Sequence, residues 1–264
     1  MIVTILGCGG SGGVPRIGGP DDAGNWGDCD PDEPRNRRTR SSILVESDGQ
    51  RILVDTSPDL RQQLLNARVG ALDAVLITHG HADHVHGIDE LRSIRRNLGR
   101  PVDLYAPEPV LADLAARFGY VFDGSGAYPA TATAHPLSAG GETICGLSVD
   151  AFQQDHGYGA VSYGYRIGPI AYSTDVVGLD DDAFAVLEGL DLWIVDCLRF
   201  DPHPTHAHFE LALEWIDRVR PKRALLTHLN ESLDYNALEK RCPPNINAAY
   251  DGLRIVIEQK SGTY

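Results

Sequence analysis

The chain reads as an α/β sandwich, two β-sheets packed together with helices outside, and three observations predict it. Short β-branched runs fall into two clusters along the 264 residues. Helical patterns are interspersed in each cluster, so each sheet has helices to cover its outer face. The hydrophobic content of 42% is enough for a sizeable core, read as one domain over residues 1–264.

The first cluster holds IVTIL (2–6), ILVE (43–46), RILVD (51–55), AVLIT (74–78) and VDLY (102–105). Asp48-Gly49 supplies a hairpin turn between the second and third of these runs. The second cluster holds the stretch around ICGLSVDAF (144–152), then YGYRI and IAYST turned by Gly168-Pro169, then LWIVD (192–196), ALLT (224–227) and LRIVI (253–257). SPDLRQQLLNA predicts a helix with Ser57 as N-cap and Pro58 at its first position. Val85, Ile88, Leu91 and Ile94 recur every third residue, and VLADLAARF, DDAFAVLEGL and FELALEWIDRV carry similar partial periodicity. The stretch from Gly7 to Arg40, rich in glycine and proline, is read as a long functional loop.

Asp and Glu number 37 against 23 Lys and Arg, a formal charge of -14. Such a surface repels a nucleic-acid backbone, so an extended nucleic-acid partner is not expected. No apolar run approaches the roughly 20 residues that cross a bilayer, and the N-terminus shows no basic leader followed by an apolar segment. Cys8, Cys29, Cys145, Cys197 and Cys242 are odd in number and scattered, which suits reduced thiols. A cytoplasmic protein is therefore expected, and a homodimer would be ordinary for it.

His79, His81, Asp83 and His84 lie directly after AVLIT, so a buried strand would deliver three imidazoles and a carboxylate to one sheet edge. Imidazole nitrogens and carboxylate oxygens suit Zn or Mn, and this density outweighs the alternative of a polar turn with satisfied histidines. His156 after AFQQD, Asp175 after IAYST and His228 after ALLT fall at further strand ends and could project from the same edge. Taken singly, each could equally be a loop histidine or a capping carboxylate.

HGHADH (79–84), followed by QDHG, STD and LTH, resembles the metallo-β-lactamase superfamily across nearly the whole chain. The resemblance implies an αββα sandwich of two mixed β-sheets flanked by helices. It also implies two divalent metal ions (Zn or Mn), one held by His79, His81 and His156 and the other by Asp83, His84 and His228, with Asp175 between them. Two such ions can share a hydroxide as nucleophile and stabilise the developing negative charge of a hydrolytic transition state.

TILGCGGSGGVP, GNWGDCD, RNRRTRSSILVE, LTHLNESLDYNALEK and AYDGLRIVI are similar to the phosphoribosyl 1,2-cyclic phosphate phosphodiesterase subfamily. That resemblance implies hydrolysis of a small phosphorylated substrate, a phosphodiester or cyclic phosphate. It also implies a histidine outside the metal shell that protonates the leaving oxygen. Of His203, His206 and His208, the position that aligns is His206, which joins Asp83 as a catalytic candidate. The subfamily's cysteine cluster for a separate structural zinc is reduced here to Cys29, which leaves the substrate open. A carbonyl substrate (lactone, thioester or β-lactam) and a non-catalytic nucleotide sensor are the alternatives.

Gly7, Gly9 and Gly12 spell GxGxxG after a strand, but Pro15, Gly18, Gly19 and Pro20 oppose the helix that a dinucleotide site needs. A glycine loop passing close to the metal site is expected instead. Guanidinium forks suit phosphate, but Arg35, Arg37, Arg38 and Arg40 read chiefly as a solvated charged loop paired with Asp30, Asp32 and Glu33. Asp55 is either a partner orienting a ligand histidine or a structural cap. Trp26 is a candidate pocket residue, whereas Trp193 and Trp215 read as core.

Overall fold

The computed structural model describes residues 1–124, 126–137 and 140–258. The first sheet is built by β1 (Ile2–Gly7), β2 (Ser42–Ser47), β3 (Gln50–Val54), β4 (Ala74–Leu76), β5 (Val102–Ala106) and β6 (Ala132–Pro136). The second comprises β7 (Glu142–Ile144), β8 (Leu147–Asp155), β9 (Val161–Ile167), β10 (Ile170–Ser173), β11 (Leu192–Asp196), β12 (Arg223–Thr227) and β13 (Ile246–Ala248). β14 (Arg254–Val256) then returns to pair antiparallel with β1. Among the described residues each sheet has seven strands, ordered β14-β1-β2-β3-β4-β5-β6 and β13-β12-β11-β10-β9-β8-β7.

Both sheets are mixed, antiparallel on one side and parallel on the other. β1 to β3 run as a meander and β3 to β6 are parallel. β7 to β10 form a second meander and β10 to β13 are parallel. Parallel neighbours need crossovers, and the helices supply them. They are α1 (Leu60–Ala67), α2 (Ala82–Val85), α3 (Leu91–Leu98) and α4 (Glu108–Asp123) in the first half, then α5 (Asp181–Val186), α6 (Phe209–Val219) and α7 (Tyr235–Arg241).

Side chains alternate across each strand, which sorts them into three apolar layers. Ile52 and Val54 of β3 join Ile194 of β11 and Tyr172 of β10 between the sheets, whereas Leu53 packs outward with Leu60 and Leu64 of α1. Trp193 of β11 and Trp215 of α6 sit in the third layer, on the outer face of the second sheet, both as core residues. Because central strands are covered on both faces, they read as continuous apolar runs.

Local differences from the sequence reading have physical causes. The strict three-residue spacing from Val85 to Ile94 is not one α-helix. Instead α2, a 3-10 turn (Ile88–Glu90) and α3 follow one another, and three residues per turn matches the 3-10 geometry. Helix α1 starts at Leu60 rather than beside Ser57, whose hydroxyl binds Gln63 Oε1 at 2.9 Å and accepts from the Asp59 amide at 3.2 Å. ICGLSVDAF is a hairpin, since Cys145 (φ 51°) and Gly146 (φ 75°) turn β7 into β8. The edge strands β6 and β13 carry no strong β signal in the sequence.

The Gly7–Arg40 segment contains no α-helix, only a 3-10 turn at Pro34–Asn36. Asp251 fastens both of its ends, accepting from the Cys8 amide (3.1 Å), the Thr39 amide (2.8 Å) and the Thr39 hydroxyl (2.6 Å). Burial pushes the Asp251 carboxyl up to about 6. The arginines of this segment divide, because Arg35 pairs with Glu33 as expected and Arg37 is exposed, whereas Arg38 is not solvated. Arg38 is buried and donates to the carbonyls of Asn230 (3.0 Å) and Leu233 (2.6 Å), and Arg40 pairs with Asp59. Arg37 lies over the Trp26 ring, 4.9 Å from its centroid.

Candidate metal centre

The carboxyl ends of strands from both sheets meet at one edge of the sandwich, where side chains can leave regular backbone and converge. Thr78 and His79 follow β4, and the turn into α2 adds His81, Asp83 and His84. His156 follows β8, Asp175 follows β10 by two residues, and His228 follows β12 directly. Asp55, Asp175 and His228 have φ of 66°, 56° and 59°, left-handed backbone that swings each side chain out of its strand direction. Gly10 lies against the His228 ring, where a Cβ would approach the ring atoms at 3.5 Å, so the glycine loop does run past this edge.

Two groups of donors result. His79, His81, His156 and Asp175 form one, and Asp83, His84, Asp175 and His228 the other, with the donor atoms of each within 4.8 Å of one another. In the first, His156 Nε2 is 3.2 Å from His81 Nδ1, and Asp175 Oδ1 is 3.6 Å from His156 Nε2 and 3.8 Å from His79 Nε2. In the second, His84 Nε2 is 3.0 Å from Asp175 Oδ2 and 3.3 Å from Asp83 Oδ2, and His228 Nδ1 is 3.3 Å from Asp175 Oδ2. Four ligands at ~2.0–2.1 Å around a tetrahedral ion stand roughly 3.4 Å apart. The observed spacings bracket that value.

Hydrogen bonding on the far side of the rings points the same way. His84 Nδ1 binds Asp55 Oδ2 at 2.7 Å, His156 Nδ1 binds the Thr205 carbonyl at 2.9 Å, and His79 Nδ1 binds Thr78 Oγ1 at 3.0 Å. Each contact orients a ring and leaves Nε2 toward the cluster. The buried Nε2 of His79 has no hydrogen-bond partner, and that of His84 meets only the carboxylates of Asp175 and Asp83, a costly arrangement for His79 unless a cation takes its lone pair. The donor set therefore fits divalent metal. Asp55, also bonded to the Thr78 amide (2.8 Å) and hydroxyl, is the orienting partner of His84 and not a helix cap.

Burial works against every charge here, and the groups answer one another. It depresses His79, whereas at His84 the surrounding Asp175, Asp83 and Asp55 outweigh it and raise the imidazole well above its ordinary value. Burial raises the Asp175 carboxyl, but His228, His84 and His79 together hold it well below the usual carboxylate range.

His206 lies beside the cluster, its Nε2 3.9 Å from Asp175 Oδ1 and its ring stacked on His228 with centroids 4.9 Å apart. Its Nδ1 is 2.9 Å from Asp196 Oδ2. Burial would lower His206, but Asp196, then Asp175 and Asp83, lift it to about 9. A cation on Asp175 and Asp83 would cancel their share, whereas the Asp196 contact stays. Of the neighbours, His203 Nδ1 faces Thr205, and His208 precedes α6. Asp196 does not stand out in the sequence because LWIVD looks like any buried strand. Its only signal was a carboxylate at a strand end, shared with Asp55.

A family profile described as "Beta-lactamase superfamily domain" matches residues 50–229, which include all seven candidate ligands. The chain belongs to the metallo-β-lactamase superfamily. Among solved structures it is similar to a diphosphatase of the PhnP family, with a TM-score of 0.86 and 33% identity over 96% of each chain. It shares its fold with Zn(2+)-bound PqqB from Methylobacterium extorquens, with a TM-score of 0.74 and 23% identity over 97% of this chain and 100% of that one. An octanoyltransferase of Porphyromonas gingivalis is 35% identical over 98% of this chain but only 52% of its own length. The chain thus spans about half the length of the curated relatives it matches. The fold is the αββα sandwich expected from the sequence, and the superfamily together with the His/Asp cluster supports a metal-binding hydrolase. No helix among the described residues is long and apolar enough to cross a membrane.

Proposed function

We propose that the protein is a phosphodiesterase acting on a small phosphodiester or cyclic phosphate with two divalent ions. The observation that carries this reading is the His206–Asp196 pair, which aims an imidazole Nε2 at the shared carboxylate of the cluster from outside the donor set. A leaving alkoxide needs a proton, whereas a centre that only binds a ligand has no use for an oriented donor at this place. Similarity to a PhnP-family diphosphatase supports phosphorus-centred substrates.

His79, His81 and His156 would hold one ion, Asp83, His84 and His228 the other, and Asp175 would touch both. When bound, such ions supply Lewis acidity at a phosphoryl oxygen and nucleophilic water at neutral pH. Asp196 fixes His206 with Nδ1–H toward its own carboxylate, leaving Nε2–H to donate to the leaving oxygen. Asp196 also accepts from the Val176 amide at 3.0 Å, which prevents the carboxylate from turning away. The Thr205 carbonyl that orients His156 belongs to the same turn as His206, so proton donor and ligand are positioned together.

The test compares leaving groups. Metal-loaded protein should hydrolyse bis(p-nitrophenyl) phosphate and a ribose cyclic phosphate. His206→Ala should slow the cyclic phosphate by roughly 10²–10⁴-fold, and the nitrophenyl ester, whose leaving group needs little protonation, far less. Turnover of lactones, thioesters or β-lactams with none on any phosphodiester would overturn the reading. So would nucleotide binding without product in protein carrying both ions.

A further inference from the structure

A cavity of about 400 Å³ lies away from the metal centre, on the outer face of the first sheet's helices. Its walls include Arg92, Arg95 and Arg96 of α3, Tyr120 of α4, and Tyr128 beyond it. The three arginines stand at i, i+3 and i+4, so they are neighbours on one helix face, and like charges there repel. None of them has an ion-pair partner among the described residues. Arg95 Nε donates to the Ala130 carbonyl at 2.8 Å, and Arg92 lies 5.5 Å from the centroid of the Tyr128 ring. Tyr128 is 67% exposed and Tyr120 48%, and the Tyr120 hydroxyl is pinned by Asp89 at 3.0 Å.

A concentration of unpaired cations in a chain of net charge -14 runs against the overall surface and focuses anions at one place. Guanidinium forks match phosphate oxygens in pairs, and an exposed phenol ring offers a flat face for a heterocycle. The volume lies within the range of small-molecule pockets and far below what a strand of nucleic acid would occupy. We propose that this cavity binds a nucleoside monophosphate, its phosphate on Arg92 and Arg96 and its base against Tyr128 and Tyr120. The proposal does not rest on the reading of the metal centre. The two places are nevertheless linked, because Arg117, one turn before Tyr120 on α4, donates to the Gly80 carbonyl within HGHADH and lies 3.1 Å from His86 Nε2.

The experiment uses the full-length metal-loaded protein, titrated calorimetrically with AMP at low salt and photolabelled with 8-azido-AMP. Label should appear on peptides carrying Tyr120 or Tyr128, and Arg92→Ala/Arg96→Ala should weaken AMP binding at least tenfold while hydrolysis of bis(p-nitrophenyl) phosphate stays unchanged. Tyr128→Ala should weaken AMP several-fold. The affected side chains are exposed, and an unaltered circular dichroism spectrum would show that the variants fold. Label confined to peptides of the metal centre would overturn the proposal. So would inorganic phosphate binding as tightly as AMP with no effect of Tyr128→Ala, or affinity that keeps rising with the length of an oligoribonucleotide.

Discussion

The two halves of the molecule carry the same architecture but contribute to the centre in opposite ways. The first half delivers His79, His81, Asp83 and His84 from a single turn and the start of α2, so four donors share one local backbone arrangement. The second half delivers His156, Asp175 and His228 one at a time, each from a different strand. Its share depends on β8, β10 and β12 holding their places in the sheet, which is a property of the folded core. One half works as a preformed arm and the other as a frame. The two meet at Asp175, the residue common to both donor groups.

Asp175 is therefore where the comparison should break most visibly. Asp175→Asn keeps a side chain that tolerates the left-handed backbone but removes the charge facing five histidines. If the centre is the two-ion phosphodiesterase site proposed above, elemental analysis should show loss of both ions and turnover should fall by more than about 10³-fold, because such a site acts by electrostatic stabilisation. His81→Ala, on the arm and exposed, should leave the second donor group intact and reduce metal content from two ions toward one. Equal metal loss in the two variants would refute the distinction between a shared and a one-sided donor.

The orienting carboxylates give the next largest effect and separate the halves by kind. Asp55 serves the arm by fixing His84, and Asp196 serves the frame by fixing His206. Asp55→Asn should weaken metal affinity by about 10–100-fold, the usual cost of losing such a support. Asp196→Asn should leave metal content unchanged while slowing substrates with poor leaving groups by a similar factor, with little change for nitrophenyl esters. Metal titration and paired-substrate kinetics read the two outcomes. If Asp196→Asn also stripped metal, its role would be support of the donor set and not of the proton donor.

This division also explains what the sequence made legible. HGHADH is conspicuous because its donors are contiguous and follow a buried strand, so one short window carries the signal. His156, Asp175 and His228 are individually unremarkable and became a set only through their shared strand-end context and the resemblance. Asp196 has the same context but stands outside both donor groups, and its strand carries no Lys or Arg that would mark an ordinary ion pair. From the sequence Arg38 reads as solvated because its neighbours are charged. Its buried position depends on the carbonyls of Asn230 and Leu233, nearly two hundred residues away, and no local pattern can show such partners. The 3-10 turn between α2 and α3 shows in the sequence as a three-residue period, which a short window cannot separate from the commoner α-helix.

The smallest effect tests whether the meanders of the two halves are equally local in origin. In the first, Gly49 turns β2 into β3 at φ 80° with open space where a Cβ would stand, so Gly49→Ala meets only backbone strain. We expect a loss of about 1 kcal/mol and a fall of roughly 2–4 °C in melting temperature, with turnover unchanged. In the second meander, Gly164 of β9 lies under the Phe152 ring, so a Cβ there would collide with the core even though the backbone is ordinary. Gly164→Ala should cost more, about 1–3 kcal/mol, because the ring must move within a packed layer. Thermal unfolding of both variants decides the matter, since comparable losses would mean that turn conformation, and not core packing, sets the register in both meanders.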